Sequence, residues 1–173
     1  MNIPNSLTIL RILFVPLLII LVIDNHSETA LIVFIAAAIT DGLDGFIARM
    51  YDQKTVLGSY LDPAADKLLL VSCYIALTIK GYLPSWLAVI VVSRDIILIT
   101  GFMVIFLLND RKSVEISPTF ISKITTFFQI VVILGVLLTM NNILHSIYIL
   151  YWITALLTII SGLDYIYKGS RRL

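Results

Sequence analysis

The stretch TDGLDGFIARMYDQKTVLGSYLDPAADK, residues 40–67, sets Asp41, Asp44, Asp62 and Asp66 into two segments otherwise fit for lipid. On helices, Asp41 and Asp44 share one face and Asp62 and Asp66 share another, because residues three or four apart stack along a helix. A short polar turn between antiparallel helices would bring the two faces together. Four carboxylates in one place cannot all stay ionised in a low dielectric without counter-charge. Arg49 and Lys67, the two cations nearest the aspartates in sequence, do not offset four negative charges. Divalent ions are the natural remedy, and an oxygen-only donor set suits two Mg²⁺ or Mn²⁺ ions.

The surroundings of this stretch decide the fold class. Hydrophobic residues make up 60% of the chain and charged residues 13%, and mean hydropathy is +1.02. That profile lies outside soluble domains and predicts an all-α integral membrane protein. Apolar segments fall near 7–23, 29–49, 59–79, 85–108, 119–140 and 146–167, each close to the length needed to cross a bilayer. The expectation is six transmembrane helices in one bundle, residues 1–173 forming a single domain, with a short N-terminal interfacial segment around Pro4 and Asn5. The opening residues lack the small-residue cleavage site of a signal peptide and read as a retained first span.

Arg49, Lys54, Arg111, Lys112, Lys168, Arg171 and Arg172 gather on one side of a six-span arrangement, which predicts cytoplasmic termini and places the acidic stretch at the cytoplasmic face. A net charge of +1 gives no field that would attract nucleic acid. The single cysteine, Cys73, cannot form an intramolecular disulfide and reads as a small packing residue. Trp86 and Trp152 read as belt or packing residues.

Gly42, Gly45, Ala48 and Gly58 keep the acidic surface nearly free of side chains. That suits either close helix packing or approach of a bulky ligand, and the ligand reading is favoured for Gly45, Ala48 and Gly58. Pro63 either kinks the third span or starts its regular part with Asp62 as cap. Charged residues within the spans need an interior partner or an anionic ligand. For Arg94 the partner would be a nearby carboxylate, with Asp95 pointing to another face, or else an acceptor phosphate; Lys123 invites the same reading. Arg11 and Lys67, close to the surface, would snorkel.

Asp41, Asp44, Gly45, Ala48, Arg49, Gly58, Asp62 and Asp66 reproduce D-x-x-D-G-x-x-A-R-x8-G-x3-D-x3-D without a departure. In this the chain resembles the CDP-alcohol phosphatidyltransferases. The resemblance implies a six-span, homodimeric enzyme that moves a phosphatidyl group from CDP-diacylglycerol to an alcohol and releases CMP. It implies Asp41, Asp44 and Asp62 as the principal ligands of two divalent ions, and Asp66 beside the second ion as general base. Gly45, Ala48, Arg49 and Gly58 would line the nucleotide and CDP-lipid site, with Arg49 on the nucleotide phosphate.

The opening IPNSLTILRI resembles both the glycerol-phosphate-using and the cardiolipin-making branches. GSYLDPAADKLLLVS, SRDIILI, SPTFISKITTFFQ and YWITALLTIISGLDYIY resemble eukaryotic-type cardiolipin synthases more closely. The glycerol-phosphate branch places a second arginine eight positions after the first, where this chain has Phe102. The expected acceptor is therefore phosphatidylglycerol, with glycerol 3-phosphate next. An ion or proton transporter would need polar residues across the whole bilayer, yet ALIVFIAAAI and LLLVSCYIALTI are apolar; a silent scaffold would be expected to lose a metal position. The absence of a targeting extension favours a bacterial cytoplasmic membrane over a mitochondrial one.

Overall fold

The computed structural model describes the backbone of residues 3–50, 56–108, 120–140 and 147–170, and the side chains of 10–40, 65–101, 120–140 and 147–168. Its described residues form six helices and no strand: α1 Ile3–Ile23, α2 Ser27–Met50, α3 Val56–Ile79, α4 Ser85–Leu108, α5 Phe120–Thr139 and α6 Ile147–Ser170. Each helix lies on one of the six apolar segments of the sequence. The separate interfacial start does not appear, because α1 runs unbroken from Ile3. Pro4 sits in its first turn, where a missing N–H leaves no helix bond unmade. The capping reading of Asp62 is also corrected: α3 starts at Val56, so Asp62 and Pro63 lie within the helix.

Two of these helices are long and apolar enough to cross a membrane over their described residues, Phe120–Thr139 and Ile147–Lys168. Shorter apolar runs, Leu10–Ile23 and Ser27–Thr40, occupy α1 and α2. The outward faces of the helices are strongly apolar. Leu13, Ile32, Ile79, Val89, Phe127 and Leu163 face outward and are each more than half exposed. Beside an apolar core, Thr125, Gln129, Thr154 and Thr158 are also buried. Such an exterior is stable against hydrocarbon, and polar residues inside gain partners they would lack in lipid.

The chain divides into two compact units. The first comprises Met1–Leu83 and Ile133–Ile143. Here α1 packs against both α2 and α3. Leu18 and Val22 on α1, Ala30, Phe34 and Ala37 on α2, and Cys73, Tyr74 and Leu77 on α3 are buried at helical spacing, so each helix turns one apolar stripe inward. Cys73 is thus a packing residue, as its position suggested.

Two turns close this unit at one end. After α1, Asn25 adopts φ 61° while His26 N–H bonds Leu21 C=O and Asn25 N–H bonds Val22 C=O. After α3, Gly81 adopts φ 77°, with Tyr82 N–H on Leu77 C=O and Gly81 N–H on Thr78 C=O. Both are the left-handed helix ending that Gly and Asn adopt at least cost, and each satisfies two carbonyls that the helix itself leaves bare. The Tyr82 hydroxyl donates to Asn25 Oδ1 at 3.1 Å and ties the two turns together.

The second unit comprises Pro84–Val132 and Leu144–Leu173. Its α4 packs against α6. Trp86 and Trp152 stack with ring centroids 4.8 Å apart on an exposed face of the pair. Farther along the pair, the Tyr165 hydroxyl donates to Leu98 C=O at 3.2 Å. Gly101 makes this approach possible, since a Cβ there would stand 2.8 Å from Tyr165 Cε1.

Candidate functional site

The acidic signature divides between α2 and α3. Positions 41 and 44 lie near the C-terminal end of α2, whereas 62 and 66 lie in the N-terminal half of α3. The helical backbone therefore keeps the three- and four-residue spacings that place each pair one turn apart. The side chains of Asp41, Asp44, Gly45, Ala48, Arg49, Gly58 and Asp62 lie outside the described residues. Asp66 is the member of the signature whose surroundings are described.

Asp66 is held by a cation from another helix. Arg11 Nη1 donates to Asp66 Oδ1 at 2.7 Å, joining α1 to α3 across 55 residues of chain. Arg11 is 1% exposed and Asp66 38%. The snorkelling expected of Arg11 is thus corrected. Arg11 lies seven and eleven residues before Leu18 and Val22, on the same inward stripe, and a guanidinium taken out of water there needs an anion. Asp66 supplies that charge and keeps its carboxylate partly open. Lys67, next in the chain, is half-buried and engaged with neighbours.

A second ion pair lies in the other unit. Arg94 Nη1 donates to Asp95 Oδ1 at 2.7 Å, and the two side chains are 3% and 2% exposed. Arg94 Nη2 donates to Ser122 Oγ on α5 at 2.6 Å and to Ser161 Oγ on α6 at 2.8 Å. One guanidinium thereby joins three helices. Asp95 does not point away from Arg94, as adjacency on a helix had suggested. The long arginine side chain curls round its own helix, and the two hydroxyls fix it there.

Polar residues continue inward from this cluster. Thr125 Oγ1 on α5 donates to its own helix at Ile121 C=O, 2.9 Å, and to Leu157 C=O of α6 at 3.1 Å. Thr154 and Thr158 bond back to Leu150 and Thr154 carbonyls. Sequence reasoning missed this face. The signal was available in the spacing of Ser122, Thr125 and Gln129, and of Thr154, Thr158 and Ser161, one side of each helix. Lys123 is exposed and does not share the buried position of Arg94. Asp164 pairs with Lys168 Nζ at 2.8 Å along α6, a local surface contact.

Chemically, the first unit offers a partly exposed carboxylate, Asp66, held by the buried Arg11. The second offers a buried guanidinium bordered by hydroxyls. Carboxylate oxygens, the only donors that Asp41, Asp44, Asp62 and Asp66 could offer, suit Mg²⁺ or Mn²⁺ better than softer metals.

Comparison with known proteins bears on the same residues. A family model described as CDP-alcohol phosphatidyltransferase matches residues 1–160, which include the whole signature and both ion pairs. The cardiolipin synthase (CMP-forming) of Homo sapiens is 36% identical over 190 aligned positions, covering 98% of this chain. The chain spans 62% of that human protein's length. A probable phosphatidylglycerophosphate synthase of Mycobacterium tuberculosis is 34% identical over 98% of the chain and 82% of its own length. A CDP-diacylglycerol–glycerol-3-phosphate 3-phosphatidyltransferase of Wigglesworthia glossinidia brevipalpis is 35% identical over 100% of the chain and 97% of its own length.

Proposed function

The chain belongs to the CDP-alcohol phosphatidyltransferase family, and on that premise we propose that it transfers the phosphatidyl group of CDP-diacylglycerol to phosphatidylglycerol, forming cardiolipin and CMP. The complete eight-residue signature within the matched region carries the transfer chemistry. The acceptor choice is carried by Phe102, which occupies the place of the second arginine in the glycerol-phosphate branch. Without that cation a doubly charged phosphate loses a partner, while Arg94 and Lys123 suffice for the single charge of a phosphodiester.

In this reading Asp41, Asp44, Asp62 and Asp66 hold two divalent ions, Mg²⁺ or Mn²⁺. The ions, when bound, neutralise the pyrophosphate oxygens and stabilise the departing CMP. Arg49 binds the nucleotide phosphate, and Gly45, Ala48 and Gly58 leave room for the CDP moiety. Asp66, steered by Arg11, takes the proton of the acceptor hydroxyl as that oxygen bonds to the phosphatidyl phosphorus and the bond to the CMP oxygen breaks. The six helices span the membrane with both termini and the acidic stretch on the cytoplasmic side, the chain acts as one domain within a homodimer, and the membrane is the bacterial cytoplasmic one. The apolar outer faces of the helices support the membrane part of this reading.

A second reading has its own support. The relatives named for glycerol 3-phosphate match this chain over nearly their whole length, 97% in Wigglesworthia and 93% in Rickettsia prowazekii. Glycerol 3-phosphate is the alternative acceptor. Purified protein given CDP-diacylglycerol should release CMP faster with phosphatidylglycerol than with glycerol 3-phosphate, and the reverse preference establishes the alternative. In the same assay a chelator should abolish release and added Mg²⁺ or Mn²⁺ restore it. Turnover indifferent to both would remove the metal from the mechanism.

A further inference from the structure

We infer that Asp95 sets acceptor preference: it cancels the charge of Arg94 and occupies part of its donor fork, biasing the site towards a phosphate with one charge over a phosphate with two. This rests on the proposed role of Arg94 at the acceptor phosphate. Both Nη2 hydrogens are taken by Ser122 and Ser161, and one Nη1 hydrogen by Asp95. What remains is the second Nη1 hydrogen and the Nε–H, which has no acceptor among the described residues although it is buried. Those two N–H groups do not share an edge of the guanidinium, so the paired fork that arginine normally offers to a phosphate is closed.

An anion reaching this cluster meets two N–H groups on separate edges of the guanidinium, two hydroxyls and a neutralised cation. The Asp95 carboxylate, 2% exposed, is little screened by water. Its repulsion of an incoming phosphate grows with each ligand charge, so a phosphomonoester dianion is disfavoured about twice as strongly as a phosphodiester. The local geometry is independent of Phe102, and it tilts selection in the same direction.

Asp95→Asn keeps the side-chain shape and an oxygen for Arg94 while removing the charge. The ratio of kcat/KM for glycerol 3-phosphate to that for phosphatidylglycerol should rise about tenfold, chiefly through a lower KM for glycerol 3-phosphate. An unchanged ratio in protein that still binds labelled CDP-diacylglycerol overturns the inference. The double variant Arg94→Gln/Asp95→Asn leaves no lone buried cation and should raise KM for both acceptors. If it does so while Asp95→Asn leaves the ratio unaltered, Arg94 keeps its acceptor role and the inference about Asp95 fails. If it leaves both KM values unaltered, the acceptor role of Arg94 falls and takes the inference with it. Unaltered protein supplies a test that needs no variant: dimethyl phosphate should compete with the acceptor at lower concentration than methyl phosphate does at pH 8, and the opposite order overturns the inference.

Discussion

The two units each bury an arginine, yet they neutralise it in opposite ways. Arg11 draws its counter-charge from another helix, 55 residues away, and the carboxylate it meets is 38% exposed. Arg94 takes its counter-charge from the next residue, and both partners are shut away. In the first case the cation serves an acid that faces outward. In the second, acid and cation form a closed unit whose remaining polarity is lent by serines from two further helices. A buried arginine can therefore take its counter-charge either from a partly open acid on another helix or from an equally buried neighbour on its own.

The largest effect expected from testing this contrast is at the open pair. Asp66→Asn removes the base while keeping its size, and CMP release should fall roughly a thousandfold in protein that remains folded in detergent. Rates near those of the unaltered chain would strip Asp66 of that role. At the closed pair the expected effect is on stability. Asp95→Ala strands Arg94 without an anion and should cost about 3–5 kcal/mol, read as a lower unfolding temperature in detergent.

Arg11→Gln should cost less, about 1–2 kcal/mol, because water can reach the carboxylate it abandons. Activity should nevertheless drop about tenfold through kcat, since Asp66 loses its fixed orientation, with Arg11→Lys recovering part of it. Equal stability losses at Arg11 and Asp95 would erase the distinction between the two pairs. The smallest effect belongs to Thr125→Val, which deletes one bond between α5 and α6 and should lower stability by about 1 kcal/mol or less.

Much of the fold was legible because lipid imposes a strict length on apolar runs. The boundaries at Ile23, Ser85, Leu108 and Thr139 follow directly from where polar residues interrupt those runs. The acidic signature was legible for the same reason, since four aspartates in apolar segments demand an account. What the sequence conceals is direction around each helix. Arg11 looked like a surface residue from its depth along the chain alone, although its register with Leu18 and Val22 points it inward. Asp95 looked misdirected because adjacent positions diverge on a helix, a rule that long side chains escape. Asp62-Pro63 imitates a helix beginning as well as a kink, and nothing local reveals that a regular turn already precedes it from Val56.

The bond between Tyr82 and Asn25 bears on the placement of Asp66. It clasps the ends of α1 and α3, and the contact between Arg11 and Asp66 clasps the same two helices about 18 Å back along α1, counting the 12 steps from Arg11 to Ile23 at about 1.5 Å each. Two rivets on one pair of rods forbid both sliding and swivelling. Slippage by a single turn would break both fastenings at once, so the depth at which Asp66 sits is gauged from the far end of that helix pair, as a mark on a ruler is gauged from its zero.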